Sequence, residues 1–476
     1  MSDLKIVDFA VILRNLMDIG KPRIRFTKDK VLSCLKPLLA AENPLFTTIQ
    51  QVSETVGSLS KGDMIRFEIP SILLLDQARL YFKTDSEAVK DFQNGEKLKM
   101  EIFCALHTSG SLIFNFHTRF QSQEGFLIEE AIENVRLNLR TVMVSIPENF
   151  KKYLTLEKNQ EYLRWVHQEQ DSYVICSLKT YTSDVLYPLF RKVLESFALE
   201  EPRSRRCFSS TLTQIYRTNP PCESIENFVA PQQFGKEILG LGTLDRAFHE
   251  RSPSLVEEAL SQNLSSDEEL GVFTFGLSDL LLFDDQFEEV TALTQKKKQL
   301  SDFYHAVLYN TTHYTSLLEW VYLEKTIIDR YNRLLSQAIS DETTTPEKML
   351  SLQKQSMNDL IGYKAGITPF PSREEFLEKA RNAHRIPELQ EKLEKKRDLA
   401  TDYIIQEYTL RTNRSIQLVN LMVAGTAVFG FVEVLLSIRQ LPLEQQGYWH
   451  GLTLILFFGT FLSLWFILKF FAKART

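Results

Sequence analysis

The chain has 476 residues, 44% hydrophobic and 24% charged, which excludes a disordered or collagen-like polymer and leaves room for two or three domains. Its net charge is -6 with no long Lys/Arg block, so a nucleic-acid reader driven by phosphate neutralisation is excluded and no direct nucleic-acid partner is expected. Five cysteines (Cys34, Cys104, Cys176, Cys207, Cys222) are odd in number and never in C-x-x-C spacing, so neither a disulfide framework nor a zinc site is expected.

The opening MSDLKIVDFAVILRN lacks the basic and long apolar regions of a secretory signal, which predicts a body that stays in the cytoplasm. From there to about residue 285 strand-like and helical pieces alternate. Met64–Leu75 and Ala78–Thr84 are rich in β-branched and aromatic residues. Residues 97–107 and 112–120 flank Thr108-Ser-Gly-Ser111, the turn signal of a hairpin. Tyr173–Tyr181, Ser209–Tyr216 and Val272–Phe283 are further strand candidates, with a helix over Asp184–Leu199. The fold class expected is α+β, a mixed α/β domain over 1–285.

Beyond residue 285 the strand signals stop. Phe287–Ser340 predicts a long helix, Pro346 suits the start of a shorter one to about Tyr363, and another begins near Ser372. From Pro387 no Pro or Gly occurs until Gly425, and one helix from Pro387 to Ile438 would be about 75–80 Å long at ~1.5 Å per residue. Residues 286–415 are therefore read as a long-helix stalk.

The last segment, 416–476, holds Arg439, Lys469, Lys473 and Arg475 against Glu433 and Glu444. Residues 418–438 and 448–468 each reach the roughly 20 apolar residues that cross a bilayer. Pro442 and Gly447 in the intervening loop force a tight turn, so two antiparallel transmembrane helices are expected. Arg411 and Arg414 before the first, and the basic end after the second, place both termini in the cytoplasm.

A mixed cytosolic domain, long helices, one very long helix entering the first of two C-terminal spans and a basic end together resemble the CorA-type metal-ion transporters. Thr412-Asn413 just ahead of the first span is the closest local likeness. The likeness covers 285–476 in architecture and 410–440 in local pattern. It implies a homo-oligomer, a pentamer, in the inner membrane of a bacterial-type cell, with first spans lining a pore gated by the cytosolic domains. The family's Gly-Met-Asn at the outer end of the first span is absent; Ser437-Ile438-Arg439 stands in register. Five Arg439 side chains at ~10 Å would oppose a divalent ion by about 4 kcal/mol before screening; otherwise Arg439 snorkels to headgroups. Some CorA-like proteins without the motif resemble membrane effectors of type III CRISPR defence triggered by a nucleotide messenger.

Asn413, Ile416, Asn420, Ala427 and Val434 recur so as to share one helix stripe, a candidate pore lining and gate. Ala424, Gly425, Ala427 and Gly430 are small enough to serve close helix packing instead. Glu433 is an intramembrane charge that faces a pore, pairs with Arg439 or a neighbouring subunit, or sits in headgroups.

Chemistry signals in the body are sparse. Asp284-Asp285, with Glu288-Glu289, would hold a regulatory divalent cation or simply suit a helix start. Arg203-Ser-Arg205-Arg206 would meet the phosphates of a nucleotide-type ligand or serve as a polar loop. His305 and His313 can share a helix face, and Gly240-Leu-Gly242 lacks the third glycine of a nucleotide fingerprint. No triad or P-loop is readable, so an enzyme is not expected. Two functions follow: an ion pore gated by a cytosolic small-molecule signal, as a messenger-activated effector or a divalent-metal transporter, or a membrane-anchored scaffold or enzyme.

Overall fold

The computed structural model describes residues 3–24, 26–38, 64–77, 79–154, 162–168, 171–201, 206–265, 268–276, 278–284, 300–341, 343–364, 371–439, 442, 447–459 and 461–462. The strands are β1 (Lys5–Asp18), β2 (Met64–Asp76), β3 (Leu98–His107), β4 (Ser111–Leu127), β5 (Val142–Ser145), β6 (Arg164–Gln168), β7 (Asp171–Cys176), β8 (Phe208–Asn219), β9 (Leu270–Thr274) and β10 (Ser278–Phe283). They form one sheet in the order β6-β7-β5-β2-β3-β4-β1-β8-β10-β9, antiparallel throughout except for the β8/β10 pair. The chain is thus a mixed α/β protein built on one large sheet.

Among the helices, α1 is Lys28–Leu35, α2 Asp85–Asn94, α3 Ile128–Val135, α4 Tyr187–Val193, α5 Gly235–Thr243 and α6 Pro253–Leu260. The later four are α7 (Leu300–Ser340), α8 (Pro346–Lys364), α9 (Pro371–Ala383) and α10 (Ile386–Ile438). The chain divides into two compact units. One is Met1–Glu342 with Ser351–Arg397, the other Thr343–Leu350 with Asp398–Thr476. The described part of α7 and the start of α10 belong with the sheet.

Three strands stand where the sequence predicts none, β1, β5 and β6, and β1 is the longest of them. Every residue from Ile6 to Asp18 is buried, because β4 and β8 flank it and both sheet faces are covered. A strand dry on both faces loses its alternation and reads as an apolar run. Phe9, Val11, Leu13 and Met17 join the main core with Ile128, Ile132, Phe190 and Ile238 from α3, α4 and α5. Asp8, Arg14 and Asp18 point to the opposite face, where α7 lies.

Local signals decided the other differences. Ala78–Thr84 is not a strand: Leu80–Phe82 is a 3-10 turn, because Thr84 and Glu87 form a capping box that starts α2. Tyr173–Tyr181 stops as a strand at Cys176, since Ser177 caps a helical turn by accepting from the Thr180 N–H. The expected helix over Asp184–Leu199 is a π-helical turn at Tyr181–Leu186 followed by α4. Val272–Phe283 is a hairpin rather than one strand, turning where Gly276 takes φ +87. Asn263 closes the outer edge of β9, accepting from the Val272 N–H at 2.8 Å and donating to the Leu270 carbonyl at 3.0 Å. Gly240 and Gly242 allow close packing: an added Cβ would lie 2.7 Å from Phe248 and 2.1 Å from Phe275. Cys104, Cys176, Cys207 and Cys222 are buried free thiols and Cys34 is half-buried.

Candidate functional site

The candidate site is α10 and what holds its first turns. α9 ends at Ala383, and the chain turns through His384 and Arg385, whose φ of 55 is left-handed, before α10 begins with Pro387 in its first turn. Ile386 and Leu393, seven residues apart and so on one face, are fully or almost fully buried. On α7, Glu324 accepts both prongs of the Arg381 guanidinium at 2.9 Å, Nε on Oε2 and Nη2 on Oε1, and the Gln390 Nε2 at 3.0 Å. One buried carboxylate therefore ties α9 and α10 to α7. Asn332 donates to the Leu389 carbonyl at 3.0 Å, and Gln353 of α8 to the Arg397 carbonyl at 2.6 Å.

His384, 2% exposed, sits against the β9/β10 hairpin. Its Nδ1 is 3.1 Å from the Gly276 carbonyl and its Nε2 is 3.3 Å from Asp279 Oδ1. The second contact is short enough for an ion pair but misaligned for a hydrogen bond, which leaves both atoms without a hydrogen-bond partner among the described residues. Arg14 holds the other oxygen of Asp279, Nη1 to Oδ2 at 3.3 Å, and its Nη2 reaches the Thr315 carbonyl at 3.3 Å. Lys325 of α7 donates to the same Gly276 carbonyl at 2.9 Å, and burial pushes its ammonium pKa down.

Farther along this sheet face, burial and the neighbouring Glu101 raise Glu68 to about 8. Burial lowers His107 to about 4. The two act oppositely on stability. An unfolded Glu68 ionises near 4.5 while the folded one keeps its proton to about 8, so its contribution is full below 4.5 and lost as pH rises to about 8. His107 contributes fully above 6.5 and loses it as pH falls to about 4. Glu68→Gln is expected to melt at the wild-type temperature at pH 4.5 and several degrees higher at pH 8, as calorimetry would show. An equal shift at both pH values would refute the assignment.

In the second unit, α10 runs on without a break to Ile438. It carries an 18-residue window of mean hydropathy 1.7, apolar enough to cross a membrane, with none of that window buried. Leu421, Met422 and Phe429 are 70%, 70% and 76% exposed. At about 100° per residue, Asn413, Ile416, Asn420, Ala427 and Val434 fall within roughly a 60° arc. Asn413 is half-buried and the rest are exposed. Phe431 lies on the same arc between Ala427 and Val434, and its ring stacks at 3.8 Å on Phe457 of the helical residues 447–459. The outer end of the stripe therefore borders the chain's own following helix.

Other candidate residues fall elsewhere. A Cβ at Gly425 or Gly430 would meet nothing within 4 Å among the described residues. Glu433 is exposed and has no ion partner among the described residues; Arg439, six residues on, stands about 120° round the helix. Asp284 is buried, with its N–H on the Glu269 carbonyl at 3.1 Å, while Asp285, Glu288 and Glu289 lie outside the described residues. Among the described residues no three His, Cys, Asp or Glu side chains gather as a metal site. Arg206 is exposed with its guanidinium 5.8 Å from the Phe208 ring; Arg203 and Arg205 lie outside the described residues, as do the side chains of His305 and His313.

Sequence reading missed Arg14, Asp279, Glu324 and His384 as a group. The signal present was a charge inside an apolar strand, Arg14 in FAVILRNLM and Asp279 in SDLLLF. Compared with protein-family models, curated proteins and solved structures, the chain matches none.

Proposed function

We propose that the chain is one subunit of an oligomeric ion channel or transporter, a divergent relative of the CorA type, gated from the cytoplasm. The observation that carries the reading is α10, whose start is packed among the buried polar groups of the sheet-bearing unit and whose far end carries an apolar window with no buried residue among those described. An apolar window that the chain itself leaves bare needs lipid or other copies to cover it. On this reading residues 448–468 form the second span, both termini face the cytoplasm of a bacterial-type cell, and five copies place Asn413, Ile416 and Asn420 around the path. The gating signal is a cytosolic small molecule, a nucleotide-type messenger in the antiviral case.

Two features favour this over an ordinary Mg²⁺ transporter. Gly-Met-Asn is missing, and Arg439 would set positive charge at the mouth. Purified chain reconstituted in lipid vesicles is expected to sediment as an oligomer and to pass ions. An oligomer that passes no ion under any added nucleotide or divalent cation would favour the membrane-anchored scaffold or enzyme instead.

A further inference from the structure

We propose that His384 and Asp279 share one titratable proton, which latches the root of α10 to the sheet. The chemistry follows from which acceptor faces each ring nitrogen. The Gly276 carbonyl, 3.1 Å from Nδ1, can only accept, so Nδ1 must carry a hydrogen. In a neutral ring Nε2 is then a bare lone pair, 3.3 Å from the carboxylate oxygen Oδ1 of Asp279. Two acceptors face each other in a site where both residues are 2% exposed. Adding one proton converts the contact into an imidazolium–carboxylate pair, and a small ring rotation aligns it. Losing that proton to solvent restores the repulsion.

The described charged and titratable groups around the pair bear on the proton. Arg14 from β1 holds Asp279 Oδ2 and favours the ionised carboxylate, so that the ring takes the proton. Lys325 from α7, on the same Gly276 carbonyl, opposes a positive ring; Asp329 and Arg385 act on Lys325, and the buried Tyr322 phenol of α7 faces Asp279 and Arg14. The titration therefore belongs to the pair and its setting. His384 lies two residues before α10, so the latch controls whether the first turn stays docked. As a control on gating it rests on the channel reading; the latch itself does not.

The test uses the full chain in lipid bilayers. Histidine-selective ¹⁵N labelling with solid-state NMR follows the His384 ring, assigned by its loss in His384→Gln. Hydrogen exchange with mass spectrometry, corrected for the intrinsic pH dependence, follows the amides of 386–397. In wild type, protection of these amides is expected to fall at least tenfold across the pH interval in which the His384 ring loses its proton. Asp279→Asn combined with Arg14→Met presents a side-chain N–H to the lone pair without stranding a buried charge, so protection should stay flat with pH. In His384→Gln it should be flat as well.

A ring that keeps one charge state from pH 5 to 9, a ring that titrates with no change in protection, or a pH-dependent protection that survives in His384→Gln would each overturn the latch. If a variant fails to fold, the wild-type comparison of ring and amides decides alone. A chain that shows the latch yet passes no ions in vesicles refutes the channel and leaves the latch standing.

Discussion

Val423→Lys together with Val428→Lys is expected to strip the chain from membranes. Both valines lie in the apolar part of α10, about half exposed. In water such changes on an uncovered helix would cost almost nothing and improve solubility. In a bilayer each lysine near the helix centre costs roughly 2.5–3.5 kcal/mol on insertion scales, and each lost valine a few tenths more. The pair amounts to about 6–8 kcal/mol, enough to prevent insertion. Alkaline extraction of membranes should leave wild type in the pellet and move the double variant to the supernatant or to aggregates. Wild-type chain recovered in the supernatant would remove the membrane reading altogether.

The second large effect belongs to the sheet. Arg14→Met leaves the Asp279 carboxylate, 2% exposed, without its guanidinium partner. Breaking a buried pair from one side typically costs about 3–5 kcal/mol, because a charge stays behind in a dry place. Urea unfolding of the detergent-solubilised chain, read by tryptophan fluorescence, should show that loss. Adding Asp279→Asn removes the stranded charge, so the double variant should regain more than half of it. Equal losses in the single and double variants would show that Arg14 acts through packing with Thr315 and its neighbours instead.

These two expectations rest on features of very different legibility. α10 was readable because its signals are local: Pro387 in the first turn, an unbroken run to Gly425, then apolar length. The Lys395–Glu391 ion pair at 2.6 Å is another local feature, four residues apart as the spacing required. The β3/β4 hairpin was readable for the same reason, with Gly110 at φ +83 in its turn.

What was not readable is long-range. β1 owes its place to strands more than a hundred residues away, and its dry faces erase the alternation that marks a half-exposed strand. α7 is buried nearly all round from residue 314 to 332, so its helical period is blurred and its buried charges resemble an ordinary solvated face. Glu324 meets Arg381 and Gln390, and Asp279 meets Arg14 and His384, only because the sheet and three helices converge. No spacing rule reaches across 265 residues.

The same geometry ties stability to function. Polar groups buried at the root of α10 are costly unless partnered, so the root is held in one arrangement. Among the described residues Phe431 of this helix stacks on Phe457 while the apolar window stays unburied, and the proposed oligomer would cover it. The stripe then has two ends with different surroundings. Asn413 is half-buried and Ile416 and Asn420 are exposed, whereas Ala427 and Val434 share their arc with the packed Phe431 ring.

Asn420→Cys tests the claim that α10 lines an ion path. Four of the native cysteines are buried, and the unmodified chain corrects for half-buried Cys34. Met422, 70% exposed, lies about 160° round the helix from Asn420 at roughly 100° per residue. A water-soluble, positively charged thiol reagent is expected to block conductance in planar bilayers for Asn420→Cys and to leave Met422→Cys conducting. Block of both positions alike, or of neither while current flows, would contradict it.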